Sequence, residues 1–343
     1  MELQFQFLET VNGLDNSNLQ IIPRIRQQLG EATTAPGMVM ISLSAVALGA
    51  AFGGYLPLIS LWMETFNISF QKIGIVCGAS AVGVVSSAYY APKLAARYGY
   101  IATINVGLVV AAIMTVAFRF TDNYGLWLAL RFVSGLGLGL HWVLTEAWLA
   151  NIVTEKYRTR VMAIYATAIS IGFAIGPMVI WLFGALSIIP FIIMGALLIL
   201  AALPILRLKG HEPKDSQTRS ASPLILIKKA PTVASACIVV GSVDLALISL
   251  LPAMITRTPE AAPILALIIV PAMAIGATIL QYPIAIIADK HGLRKVGVIT
   301  VCAGLIFASL IPFFLGSVIL TLLFGFFAAG LVYALYSIGL AML

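Results

Sequence analysis

The sequence predicts an all-α integral membrane protein. Three observations carry this. First, 61% of the 343 residues are hydrophobic and only 10% are charged, against roughly a quarter charged in soluble domains. Second, the mean hydropathy is +1.05, too apolar for a disordered chain, a coiled coil or a soluble enzyme with its charged skin. Third, charge-free runs long enough for a membrane helix, about 20 residues, recur along the chain.

The spans follow in order. Residues 38–63, 73–92 and 98–118 carry no charge. Residues 126–150 form a fourth run, interrupted by Arg131 and Glu146. Residues 161–206 hold no charge over 46 positions, which makes two helices with a short turn near Gly184–Ser187. Then come 230–256, containing Asp244, and 261–288. The last 48 residues, 296–343, divide near Pro312–Ser317. The total is about ten transmembrane helices.

The connectors set an orientation. Alternate ones (1–37, 93–97, 156–160, 207–229 and 290–295) hold 16 Lys and Arg, and the opposite set holds 3, namely Lys72, Arg119 and Arg257. This bias predicts a cytoplasmic N-terminus. Residues 1–37 read as a polar cytoplasmic tail without the pattern of a secretory signal. Within it Ile21, Ile22, Ile25 and Leu29 suit a short surface helix. Residues 207–229 are rich in Ser, Pro and mixed charge and read as a cytoplasmic linker. They separate a six-helix bundle, 38–206, from a four-helix bundle, 230–343.

The net charge of +7 comes from 20 basic residues. They are scattered over connectors with no dense stripe, so nucleic acid is not expected as a partner. Cys77, Cys237 and Cys302 sit singly in apolar runs and read as small core side chains. No phosphate loop, metal-spaced His/Cys set or nucleophile triad is present, and no enzyme activity, metal or other cofactor is expected.

A repeat crosses the linker. Tyr89 to Gly99 and Tyr282 to Gly292 align at an offset of 193, matching Tyr with Tyr, Leu94 with Ile287, Ala95 with Ala288 and Arg97 with Lys290. Both lie at the inner end of an even-numbered span, the second and the eighth, which are equivalent if the unit has six helices. Duplicated helical units are a common transporter design.

The second copy, Asp289, Lys290, Gly292, Arg294 and Lys295, resembles the signature loop of the major facilitator superfamily (MFS), with Ala285 in place of the leading Gly. Arg97 and Gly99 persist in the first copy, where Pro92, Ala96 and Tyr100 replace the rest. Arg131-Phe132-x-x-Gly135-x-Gly137 resembles the family's fourth-helix pattern. Gly172-x-x-x-Gly176-Pro177 resembles a fifth-helix element of proton-coupled exporters. The fourth span, with Trp142 and Glu146, is similar to the bacterial YcaD-like branch of permeases. This resemblance implies MFS-type pseudo-symmetric helical bundles, six helices and then four. The family has twelve spans, so the chain reads as lacking the last two. It also implies an inner gate at Asp289, Lys290, Gly292, Arg294, Lys295, Arg97 and Gly99.

A charge at mid-bilayer costs about 2.5–3.5 kcal/mol, which singles out Arg131, Glu146 and Asp244. Arg131 shares a polar stripe with Ser134, His141 and Thr145. It is a candidate to bind an anionic or polar substrate or to bias a proton-carrying acid; the alternative is a structural Arg bonded to backbone carbonyls. His141 is a candidate proton relay or a buried neutral imidazole. Glu146 is a candidate gate latch, with Arg97 and Arg158 as partners. Asp244 is a candidate proton carrier or a helix contact. Trp142, Trp148, Tyr89, Tyr90, Gln281 and Tyr282 line a cavity or anchor at the interface. Gly172, Gly176 and Pro177 form a helix-packing motif, since small residues let helices approach.

The resemblance implies a secondary active transporter, a permease in the bacterial inner membrane. It would move a small organic molecule by alternating access; Asp244, Glu146 and His141 suggest protons as the coupling ion, and the fifth-helix element points to efflux. Two alternatives stand beside it: a non-transporting membrane scaffold, and a ten-helix transporter of another superfamily, in which the first and sixth spans would be equivalent.

Overall fold

The computed structural model describes residues 36–152, 155–213 and 231–341. The predicted N-terminal tail lies outside the described residues, as does the linker from residue 214 on. So do the side chains of Lys156, Arg158, Cys237, Tyr282 and Asp289.

Among the described residues the secondary structure is helical. The helices are α1 (Pro36–Glu64), α2 (Phe70–Tyr98), α3 (Tyr100–Ala117), α4 (Tyr124–Ile152), α5 (Glu155–Phe183), α6 (Ile189–Leu206), α7 (Pro231–Arg257), α8 (Leu265–His291), α9 (Leu293–Leu310) and α10 (Val318–Ala341). Nine of them are long and apolar enough to cross a membrane over their described residues, and the apolar part of α8, Leu265–Gln281, is shorter. The chain is a multi-pass membrane protein. Its helices overrun the apolar stretches: α2 continues through Lys93 and Arg97 to Tyr98, since a helix remains satisfied in the headgroup region where long basic side chains reach water. The turns at 184–188 and 311–317 fall where the sequence placed them.

The duplication is visible in the backbone. Gly99 ends α2 at φ 87° and Gly292 ends α8 at φ 96°, a region that favours glycine. Their amides bond to Ala95 O and Ala288 O. Adding the offset of 193 residues carries α3, Tyr100–Ala117, onto α9, Leu293–Leu310, at both ends. It also carries the end of α1 onto the end of α7.

Packing follows the same division. In the first unit α1 packs on α5 and α6, α2 on α4, and α3 on α4 and α6. In the second, α8, α9 and α7 pack on α10. The units meet through α1 with α7 and α5 with α8. We call the face carrying the α2–α3 and α8–α9 turns the basic face and the opposite one the far face. Toward the far face the units share a core in which Leu56 and Phe173 join Ile248, Leu251 and Ile255. Toward the basic face no shared core of this kind joins them among the described residues. Val39 and Leu43 of α1 and Ile238, Gly241 and Ser242 of α7 are exposed there.

The tightest contact joins α1 to α5. A Cβ at Gly172 would meet the backbone of Val46, Gly49 and Ala50, and one at Gly176 would meet Ala50, Gly53 and Gly54. Reciprocally, a Cβ at Gly53 would come within 2.6 Å of Phe173 Cα. One expectation is corrected: Cys77 is buried, but Cys302 is exposed, because it lies on a face of α9 that no other helix covers.

Candidate functional site

Arg131 lies seven residues into α4, about 10 Å from its far-face end at 1.5 Å per residue. Its side chain has no exposure. The guanidinium carbon stands 4.9 Å from the centre of the Tyr55 ring on α1, a cation–π contact, and the group also lies beside the Tyr55 hydroxyl. Nε and both terminal nitrogens are buried without a hydrogen-bond partner. Tyr55 is flanked by Thr115 of α3 and Cys77 of α2 as well as by Arg131. Cys77 in turn neighbours Ser249 of α7. The oxygens of Tyr55, Ser80, Thr115, Ser134 and Ser249 are likewise buried without partners. Four helices of the first unit and one of the second thus deliver polar groups to one apolar region. The sequence reading found Arg131 and Ser134 but missed Tyr55, Ser80, Thr115 and Ser249. Each is a lone hydroxyl in an apolar run, and only the shared depth of their helices signals the cluster.

The rest of the α4 stripe bonds within the first unit, except for His141 Nδ1, which is buried without a partner. His141 Nε2 lies 2.8 Å from Ser44 Oγ, and that hydroxyl donates to Ala201 O at 2.7 Å. With its proton committed, Ser44 can only accept from His141, which fixes the Nε2–H tautomer. Thr145 donates to His141 O at 2.8 Å and lies 3.1 Å from the Tyr165 hydroxyl of α5. His141 is therefore a three-helix clamp with no exposure.

Glu146 is half-buried and accepts a hydrogen bond from Trp142 Nε1 at 2.7 Å. The Trp142 ring meets Phe52 edge-on at 6.2 Å, and Phe52 meets Phe173 at 5.5 Å. Of the partners proposed from sequence, Arg97 is exposed and lies over the Tyr98 ring at 5.2 Å, and the Arg158 side chain lies outside the described residues. An indole one turn away satisfies the carboxylate locally.

Asp244, at mid-α7, accepts from the Tyr333 hydroxyl of α10 at 3.4 Å, a long bond. Gln281 is half-buried and bonded. Lys290, Arg294 and Lys295 are exposed around Gly292 on the basic face. Trp148 is buried against Tyr100, with ring centres 5.8 Å apart. Tyr89 and Tyr90 are exposed, with Lys93 Nζ 3.6 Å above the Tyr89 ring. Below Arg131, toward the basic face, a cavity of about 360 Å³ runs along α1 and α5, lined by Met38, Ser42, Val46, Ile164, Thr167 and Ile171 among others. Among the described residues, no group of three His, Cys, Asp or Glu is placed to hold a metal.

The sequence pattern of the Major Facilitator Superfamily matches residues 41–343. This chain belongs to that superfamily. Among its relatives are two MFS-type transporters. YfkF of Bacillus subtilis is 26% identical over 273 residues, covering 78% of this chain and 68% of YfkF. YcaD of Salmonella enteritidis is 23% identical over 261 residues, covering 75% of this chain and 65% of YcaD. The chain spans between 55% and 68% of the length of the curated relatives it matches. A solved bacterial homologue of the human lysosomal transporter Spinster, inward-facing and occupied, superposes with a TM-score of 0.68 at 20% identity, over 88% of this chain and 72% of that one. The MFS fold accounts for the six-plus-four grouping and for the match of α2 to α8.

Proposed function

We propose that the chain acts as a secondary active transporter that moves a small organic molecule by alternating access, with protons as the coupling ion. The observation that carries this reading is the Arg131 cluster. A fully buried guanidinium with no carboxylate paired to it among the described residues is an expensive arrangement in a membrane, and such residues mark substrate pathways. Ser249 brings the second unit to the same spot, so a bound solute touches both units and its binding biases how they sit.

In this reading the basic face is cytoplasmic. The units share a core at the far face and, among the described residues, none of that kind at the basic face, which is an inward-open arrangement, and the 360 Å³ cavity along α1 and α5 belongs to the exit path. Asp244 is the proton carrier, since it is a carboxyl at mid-membrane whose bond from the Tyr333 hydroxyl is long. Glu146 holds α4 through Trp142 rather than carrying protons. His141 is structural. Lys290, Arg294 and Lys295 belong to the inner gate, which is open here. The Gly172–Pro177 element, by its likeness to exporters, sets the direction as efflux.

The test is transport in proteoliposomes. The 343-residue chain is reconstituted with a pH-sensitive dye inside and challenged with small organic acids, amines and sugars. Solute flux that moves protons, and that loses its response to an imposed pH gradient in Asp244→Asn, is expected. Flux indifferent to the gradient removes the coupling, and absence of flux for every solute favours the scaffold reading.

A further inference from the structure

We propose that the cluster around Arg131 binds the carboxylate of a small, otherwise apolar organic monoanion. The inference deepens the transport reading above and rests on it. Three features of the cluster set the chemistry of its ligand.

The first is charge. Arg131 is fully buried, and among the described residues the one ion pair is elsewhere, between Arg257 and Glu64. A cationic ligand would add a second positive charge to a medium that tolerates one poorly. A neutral ligand would leave the first uncompensated. A dianion would overshoot and bury a net negative charge. One guanidinium balances one negative charge.

The second is hydrogen-bonding capacity. A structural arginine in a membrane helix ties up its N–H groups on backbone carbonyls, but here Nε and both terminal nitrogens bond to none. The guanidinium presents its donors as a planar fork that matches a carboxylate through two parallel bonds. The hydroxyls of Tyr55 and Thr115, and that of Ser249 beside Cys77, supply further donors able to rotate toward an oxygen,.

The third is the wall. Tyr55, Val76, Cys77, Phe118, Trp127 and Leu130 form one buried apolar cluster, against which Leu250 of α7 packs. These side chains are packed on one another, so a ligand that parts them to reach Arg131 meets hydrocarbon and aromatic rings beyond its charged end. Hydrophobic and aromatic lining with a few placed polar groups is the usual make-up of a small-molecule site.

The experiment is thermal unfolding of the purified chain in detergent. The additives are benzoate, phenylacetate and hexanoate, the amide and the amine matched to each, and inorganic phosphate. A carboxylate is expected to raise the unfolding temperature by several degrees in a saturable way, with its amide, its amine and phosphate without effect. Arg131→Gln is expected to weaken that response at least tenfold in concentration, and Ser249→Ala, on the other unit, severalfold. Ligand-free Arg131→Met is expected to unfold no lower than the unaltered chain, because it removes an uncompensated charge and keeps most of the volume. The assignment is overturned if amides or amines stabilise as well as acids, if no carboxylate stabilises, or if Arg131→Met unfolds several degrees lower. Proton-driven flux of a neutral or cationic solute would sink the carboxylate site and leave transport standing. A carboxylate response without flux would do the reverse.

Discussion

Glu64 ends α1 and Arg257 ends α7, and their side chains form an ion pair across the far face. The two positions are 193 residues apart, the offset that relates Gly99 to Gly292. The pair therefore joins the same position of the two repeats. Arg257 also donates to Ile68 O at 2.6 Å and lies 4.1 Å from the centre of the Phe70 ring. The carbonyl it reaches follows Asn67, which adopts φ 53°, a left-handed turn that Asn tolerates. One side chain of the second unit thus touches the end of α1, the following turn and the start of α2.

Breaking this pair should loosen far-face closure. A partly exposed ion pair contributes about 0.2–1 kcal/mol, so Glu64→Gln or Arg257→Gln should shift the ratio of closed to open states by up to about fivefold. The shift is read as labelling of a cysteine placed at residue 56 by a reagent added from the far side. The swap Glu64→Arg with Arg257→Glu should return labelling toward its original rate. If the single variants label no faster, the pair does not hold the face.

Enlarging the α1–α5 contact should destabilise the protein. Gly176→Ala puts a methyl against the backbone of Ala50 and Gly54, and overpacking costs about 1–3 kcal/mol. Gly241→Ala is the matched control, since nothing lies within 4 Å of its added Cβ. Unfolding temperatures in detergent should fall for the first and hold or rise for the second.

Ser44→Ala should act through His141. It leaves the imidazole Nε2–H buried without its 2.8 Å partner, at a cost of about 1–3 kcal/mol. A lower unfolding temperature with an unchanged pH profile of transport is expected. A displaced profile would make His141 a proton relay after all.

Glu146 should be replaceable by an acceptor and not by an apolar side chain. Glu146→Gln keeps an oxygen for Trp142 Nε1 and should leave stability within about 0.5 kcal/mol. Glu146→Leu strands the indole N–H and should cost about 1–3 kcal/mol. Near-equal unfolding temperatures for the two would mean the bond has no structural weight.

Much of the fold was legible because lipid writes its requirement locally. A helix must satisfy its own backbone, so the charge-free runs mark α1 to α10, and Gly99 and Gly292 mark the turns between paired helices. The repeat was legible through those glycines and through Arg97 and Lys290. Candidate site residues stood out in the sequence only where each was costly on its own, as Arg131 and Asp244 are. Ser80, Thr115 and Ser249 are inexpensive singly, and nothing in their own helices says they meet. At Glu146 the sequence pointed to distant arginines as partners, and the bond from Trp142 one turn back was the contact it did not suggest. Glu64 and Arg257 were discoverable, since the 193-residue offset maps one onto the other with opposite charge.

Where α1 and α5 touch, peptide groups rest on peptide groups, with nothing compliant between Gly53 and Phe173 to absorb a push. The two rods must travel as one crossbar. A shift of α1 at Glu64 would therefore carry α5 with it, including Thr167 and Ile171 beside the cavity.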